Sequence, residues 1–141
     1  MAAIEAQRTI SSLNEKRLAA NASREIENSA RLSAGLPPKP PLTALQLGTG
    51  VNTGSVTVGL MGSDDHILNY TIFGREVNLA SRLEGVSGSG RIIISEATYQ
   101  HLHRHDPVLA AACVELAPVT VKGIRVAVRI FEVPWRLPAA P

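Results

Sequence analysis

The chain has 141 residues, 45% of them hydrophobic, enough for the core of one globular domain or part of one and too few for two. A formal net charge of +2, with acidic residues interspersed throughout and aromatics at 4%, argues against a nucleic-acid surface. The lone Cys113 cannot close an internal disulfide, and the start of the chain lacks the uninterrupted apolar run of a signal peptide or membrane span, so a cytoplasmic location is expected.

Residues 2–34 contain neither proline nor glycine and read as one long or two short helices, with Ile4, Ile10, Leu13, Leu18, Ile26 and Leu32 forming an irregular apolar stripe. Gly35 is placed to cap the helix end, and the prolines at 37, 38, 40 and 41 then hold an extended connector over 35–43. Its two overlapping PxxP spacings suit a proline-recognising domain, but a rigid surface linker is the favoured reading. From residue 44 the period drops to two. Leu45, Leu47 and Val51, followed after "NTGS" by Val56, Val58 and Leu60, predict a β-hairpin. "NYTIF" reads as a short strand ending at Gly74. "REVNLASRLEGV" has helical spacing through Val77, Ala80, Ser81 and Glu84 until "SGSG" breaks it. "RIIIS" is a buried strand running into Ser95, the N-cap of the helix "EATYQHLHRH". "APVTVKGIRVAVRIFEVP" gives two strands joined at residues 122–125, and residues 135–141 form a tail. The mixture predicts an α+β sandwich, with helices packed on one face of a largely antiparallel sheet.

Several stretches invite a chemical reading. "GTGVNTG" is glycine-rich but lacks the Gly-Lys-Ser/Thr ending of a phosphate-cradling loop, so its glycines are assigned to close backbone packing. His101 and His105 stand four apart, with His103 between them, but no cysteine or carboxylate cluster completes a zinc site, and a solvated helix end is expected. Asp64 and Asp65 read as a surface turn rather than a magnesium site. "FGREVNLASRLEG" differs in kind. Gly74 ends a strand, so Arg75 to Asn78 fall in the first turn of a helix, where unspent backbone amides favour an anion. Asn78 and Arg82 share a face there, so an amide stands beside a planar fork of donors suited to phosphate. The alternative is that Arg82 pairs with Glu84 or a neighbouring carboxylate and Asn78 merely caps a turn.

The run from "GVNTGSVTVGLMG" through "NYTIFGREVNLASRLEGVSGSGRIIISEATYQHL" to "VTVKGI" closely resembles the C-terminal part of the class III adenylate/guanylate cyclase catalytic domain, over roughly residues 44–133. The N-terminal helix, residues 1–34, matches more loosely. The resemblance implies a ferredoxin-like, cyclase-type sandwich, here incomplete. It also implies that Asn78 and Arg82 stabilise the transition state while the ribose 3′-oxygen attacks the α-phosphate and pyrophosphate leaves. Lys122 would contact the terminal phosphates, and Thr71, with Ile72 beside it, would lie at the purine edge. Threonine at that position is similar to a bacterial subset of adenylate cyclases, so ATP and cyclic AMP are the expected substrate and product. The two metal-binding aspartates of the family, which hold Mg or Mn, and the lysine that partners Thr71 would lie upstream of residue 1. The site would then form between two catalytic domains, with a homodimer as the expected assembly. A non-catalytic dimerisation or regulatory module of the same fold is the alternative.

Overall fold

The computed structural model describes residues 2–61, 69–120 and 127–136, arranged as two units, Met1–Leu47 and Gly48–Pro141. The expected turn at Asp64–Asp65 and the junction at residues 122–125 lie outside the described residues. Among those described, no helix is long and apolar enough to cross a membrane.

In the first unit a single helix, α1 (Ala2–Ser33), is followed by a strap that runs back along it. Gly35, at φ 72°, turns the chain as the spacing predicts, with the Leu36 amide donating to Arg31 O at 2.9 Å. Most of the apolar stripe faces outward: Ile4 and Ile10 are half-buried, but Leu18, Ile26 and Leu32 are 74%, 77% and 61% exposed. A polar face meets the strap instead. Asn28, Asn21 and Asn14 each donate from Nδ2 to a strap carbonyl and accept the amide of the same residue, on Lys39, Leu42 and Leu45 respectively, at 2.7–3.0 Å. Gln7 Nε2 extends the row to Leu47 O at 2.8 Å. Arg31, Arg24 and Arg17 donate to the carbonyls of Pro37, Pro40 and Thr43. Backbone groups with no partner in a sheet are thereby satisfied by side chains. Lys39 Nζ also sits 2.5 Å from Glu27 Oε1, and that contact holds the Glu27 carboxyl below its usual range.

The second unit holds β1 (Thr49–Val51), β2 (Thr57–Met61), β3 (Asn69–Phe73), α2 (Arg75–Ser87), β4 (Ile92–Ser95), α3 (Glu96–His105), α4 (Pro107–Ala112), β5 (Val114–Val119) and β6 (Val128–Glu132). The expected hairpin between the first two strand segments does not form. β1 pairs in parallel with β4, Gly50 opposite Ile93, whereas β2 pairs antiparallel with β3, Val58 opposite Ile72 and Leu60 opposite Tyr70. Alternation marks a strand but not its partner, and β1 finds the fully buried β4 more than forty residues on. The main sheet has the order β1-β4-β6-β5, antiparallel except for that first pair. A bulge between Leu116 and Val119 coincides with Pro118, which cannot donate to the ladder and is tolerated on this edge strand.

The core lies where α2 crosses the sheet: Leu79 and Leu83 pack on Ile93 and Ile130. With Ser87 they make the buried face of α2; the helical spacing through Val77, Ala80, Ser81 and Glu84 marks the helix but not its buried face. Phe131, adjacent to Ile130 and so on the opposite face of β6, stacks on Tyr99 of α3 with ring centroids 4.0 Å apart. Ser95 caps α3 as expected, its Oγ accepting from the Thr98 amide at 3.2 Å.

Candidate active site

Gly74 sets the entry into α2. At φ 137° it adopts a backbone that side chains disfavour, so the chain leaves β3 and enters the helix within one residue. No side chain caps this end. The first turn is instead fixed from the side. Asn52, just after β1, donates to Glu76 O at 3.0 Å and to Glu76 Oε2 at 2.8 Å, and accepts from Ser95 Oγ at 2.6 Å. Ser95 Oγ and Thr98 Oγ1 lie 3.2 Å apart, and Thr98 Oγ1 meets Thr53 Oγ1 at 3.0 Å. This network ties the start of α2 to β1, β4 and α3, and packing of Leu79 and Leu83 fixes the rotation of the helix.

That rotation turns Asn78, Ser81, Arg82, Gly85 and Val86 outward together, the i, i+3, i+4, i+7, i+8 face of the helix. With Val119 and Thr120 at the end of β5 they line an open depression of about 700 Å³. Asn78 and Arg82 are exposed, and neither side chain has a hydrogen-bond or ion-pair partner among the described residues. The alternative in which Arg82 pairs with Glu84 is therefore not what the fold adopts. The other described arginines of this unit are engaged. Arg129 bridges Glu115 at 2.8 Å and Glu96 at 2.6 Å, Arg91 meets Glu132 at 2.9 Å, and Arg75 lies 3.8 Å from Glu76. Arg104 bonds Gln100 O, and Arg136 lies over the Trp135 ring. The Glu115 pairing lowers that carboxyl's pKa and raises that of Arg129, a structural ion pair outside the depression. Burial, helped by the nearby Asp106 charge, pushes the Cys113 thiol up, as suits an unreactive side chain.

The other residues singled out by sequence are distributed differently. Thr71 and Ile72 lie on β3, opposite Gly59 and Val58, and do not line the depression. Lys122 is outside the described residues; Thr120, the last described residue before it, is in the lining. His101, His103 and His105 are exposed along α3, His103 stacked on Tyr99 at 6.2 Å. Sequence reasoning missed Ser81, Gly85 and Val86 as lining residues, although their spacing from Asn78 and Arg82 identifies them. It also missed Val119 and Thr120, which no local pattern announces. Among the described residues the lining contains donors and no carboxylate, and no group of three or more His, Cys, Asp or Glu is arranged to hold a metal ion. The depression thus fits an anion and does not by itself fit Mg or Mn.

A family model described as the adenylate and guanylate cyclase catalytic domain matches residues 4–133. The chain belongs to that family, whose members are class III cyclases, enzymes of the lyase class. Guanylate cyclase 32E of Drosophila melanogaster is 39% identical over 83 residues, covering 59% of this chain and 7% of that protein. Guanylate cyclase soluble subunit alpha-2 of Rattus norvegicus is 42% identical over 62 residues, covering 44% and 8%. The chain therefore spans only a small fraction of the curated relatives it matches. Among solved structures, the adenylyl cyclase CyaB from P. aeruginosa aligns with a TM-score of 0.55 and 35% identity over 83% of this chain and 54% of that one. The guanylate cyclase domain of RhGC from Catenaria anguillulae, in complex with GTP, aligns with a TM-score of 0.50 and 32% identity over 60% and 42%. The relatives are named for both nucleotides, so the comparisons leave the base open.

Proposed function

We propose that this chain contributes the triphosphate-binding half of an adenylate cyclase site, converting ATP into 3′,5′-cyclic AMP and pyrophosphate within a dimer of catalytic domains. The observation that carries this reading is the pair of unengaged donors, Asn78 and Arg82, on one exposed face of α2. In the reaction the ribose 3′-oxygen forms a bond to the α-phosphorus, the bond from that phosphorus to the bridging oxygen breaks, and the 3′ proton is lost. Charge builds on the α-phosphoryl oxygens, where the Arg82 guanidinium stabilises it more than it stabilises bound ATP. Asn78 holds the ribose so that the 3′-oxygen lies in line, which replaces entropy the free reaction would lose. Lys122 takes the terminal phosphates, and Thr71, with Ile72, reads the purine edge.

Mg or Mn would be held by carboxylates of a second catalytic domain, since the described lining residues here include none. The β2–β3 ribbon supports such a partner. Val56, Val58, Leu60, Tyr70 and Ile72 are 42–76% exposed and alternate onto one face, an apolar strip of the kind that seeks a protein surface. A second copy is the simplest occupant.

The test is complementation. This chain, expected to give no turnover by itself with ATP and manganese, is mixed with a catalytic domain that keeps its metal carboxylates but lacks its own asparagine and arginine; cyclic AMP is followed by chromatography. Restored turnover is expected. Turnover by this chain alone would contradict the division of the site. The second reading, a non-catalytic dimerisation or regulatory module, is favoured by the carboxylate-free lining and predicts pairing without turnover.

Base choice gives a separate prediction. Thr71→Ala in the restored dimer is expected to reduce the ratio of kcat/KM for ATP to that for GTP by roughly tenfold, with a smaller fall in kcat, because a lost polar contact at the base leaves a group unpaired. A restored dimer that prefers GTP would overturn the adenylate assignment and leave the cyclase assignment standing.

A further inference from the structure

The contacts of the first unit form a repeat. On α1, Asn14-Glu-Lys-Arg17, Asn21-Ala-Ser-Arg24 and Asn28-Ser-Ala-Arg31 recur every seven residues, with Gln7 one heptad earlier. On the strap, the residues that pair with asparagine are 39, 42 and 45, and the carbonyls that take arginine are 37, 40 and 43, both recurring every three residues. Three is the period of polyproline II. Seven helical residues advance about 10.5 Å and three polyproline residues about 9.3 Å, so the two ladders stay in step over three repeats.

The division of labour between the two side chains sets a rule for what can lie on this face. Each asparagine amide both accepts and donates, engaging the N–H and the C=O of one residue, so that residue cannot be proline. Each arginine uses only a carbonyl, so proline is allowed there. The strap obeys this rule. Its prolines stand at 37, 38, 40 and 41, while Lys39, Leu42 and Leu45 keep their amides. The ladder itself reads backbone; the Lys39–Glu27 ion pair is a side-chain contact beside it, between two groups that are each about half exposed, and Leu45 is exposed.

We propose that the Asn-Xaa-Xaa-Arg face of α1 is a polyproline-II-binding site whose ligand is a proline-rich segment with a non-proline residue at every third position, and that residues 37–45 of this chain are its resident occupant. The tether gives that occupant an effective concentration on the order of millimolar, so the site is filled in cis and opens only when the strap is released.

The test uses the full chain carrying Lys39→Pro and Leu42→Pro, whose strap has lost two of its three donors, and a fluorescent peptide copying residues 36–47. The peptide is expected to bind this variant saturably and at least about tenfold more tightly than it binds the unaltered chain. Placing proline at the peptide positions equivalent to 39 and 42 is expected to weaken binding by about tenfold or more, whereas alanine there changes it little. Equal binding of the proline and alanine peptides overturns the proposal, as does failure of the parent peptide to bind while circular dichroism shows α1 intact. If the variant loses α1, amide exchange in the unaltered chain decides. Lys39, Leu42 and Leu45 are expected to exchange about tenfold or more slowly than Thr43 and Ala44 relative to their free-peptide rates, and uniform exchange along the strap overturns the proposal.

Discussion

In the complemented enzyme, Arg82→Ala is expected to lower kcat by about 10²–10³-fold, the loss that follows removal of one preorganised donor from a developing oxyanion. The expectation rests on where the side chain is. Arg82 is exposed, has no partner among the described residues, and stands one helical turn from Asn78 over the same depression. A group that supports no fold contact can be removed without unfolding the protein, so the melting temperature should stay within the effect of about 0.5 kcal/mol typical of surface changes. Arg82→Lys keeps the charge and loses the planar fork, and should recover only part of the rate. Asn78→Ala should cost about ten- to a hundredfold, because it positions the nucleophile rather than meeting the charge. Single-turnover measurements at saturating ATP separate these losses from weaker binding. Unchanged rates in both alanine variants would show that the roles belong to other residues.

The site was partly legible because its logic is local. Gly74 and the "SGSG" break delimit α2, and a four-residue spacing places Asn78 and Arg82 on one face whatever the helix packs against. The second wall was not, since Val119 and Thr120 arrive from β5 through pairings that no local period encodes. The β1–β2 hairpin failed for the same reason: "NTGS" can turn a chain, but β1 gains more by lying against Ile92–Ile94, which are 0–3% exposed. In α1 the gap was of another kind. The irregular apolar stripe carries no information about what α1 faces, because the facing partner is a proline-rich backbone whose carbonyls and remaining amides have no ladder of their own. Against such a partner, asparagine and arginine are the side chains that satisfy the interface, and the heptad of Asn-Xaa-Xaa-Arg carried a signal that hydropathy could not.

Gly50→Ala is expected to be the most damaging of the Gly→Ala changes at the described glycines. β1 passes directly beneath α2, and a Cβ built on Gly50 falls 2.6 Å from the Leu83 carbonyl carbon and 2.7 Å from Ala80 O, and nearer still to the Glu84 amide nitrogen. These are helix backbone atoms, which cannot rotate out of the way as a side-chain tip can. Relief requires β1 or α2 to move as a body, and both are pinned: β1 by its pairing with β4, α2 by Leu79 and Leu83 in the core and by Asn52 at its first turn. Overpacking of this kind costs about 3 kcal/mol, at the upper end of the usual range. For a unit of this size that lowers the melting temperature by roughly 12 °C or more. The functional effect should be larger in proportion. Ala80 and Glu84 flank Arg82 on the same helix, so the shift that relieves the clash carries the guanidinium with it, and a displacement near 1 Å can cost about a hundredfold in rate. Gly85→Ala is the control. It lies three residues from Arg82 in the same helix with nothing within 4 Å of its Cβ position, and alanine there should stabilise by about 1 kcal/mol. Thermal unfolding of the two variants side by side distinguishes close packing from a general intolerance of alanine, and a Gly50→Ala protein as stable as its parent would show that the helix and strand do not lie this close.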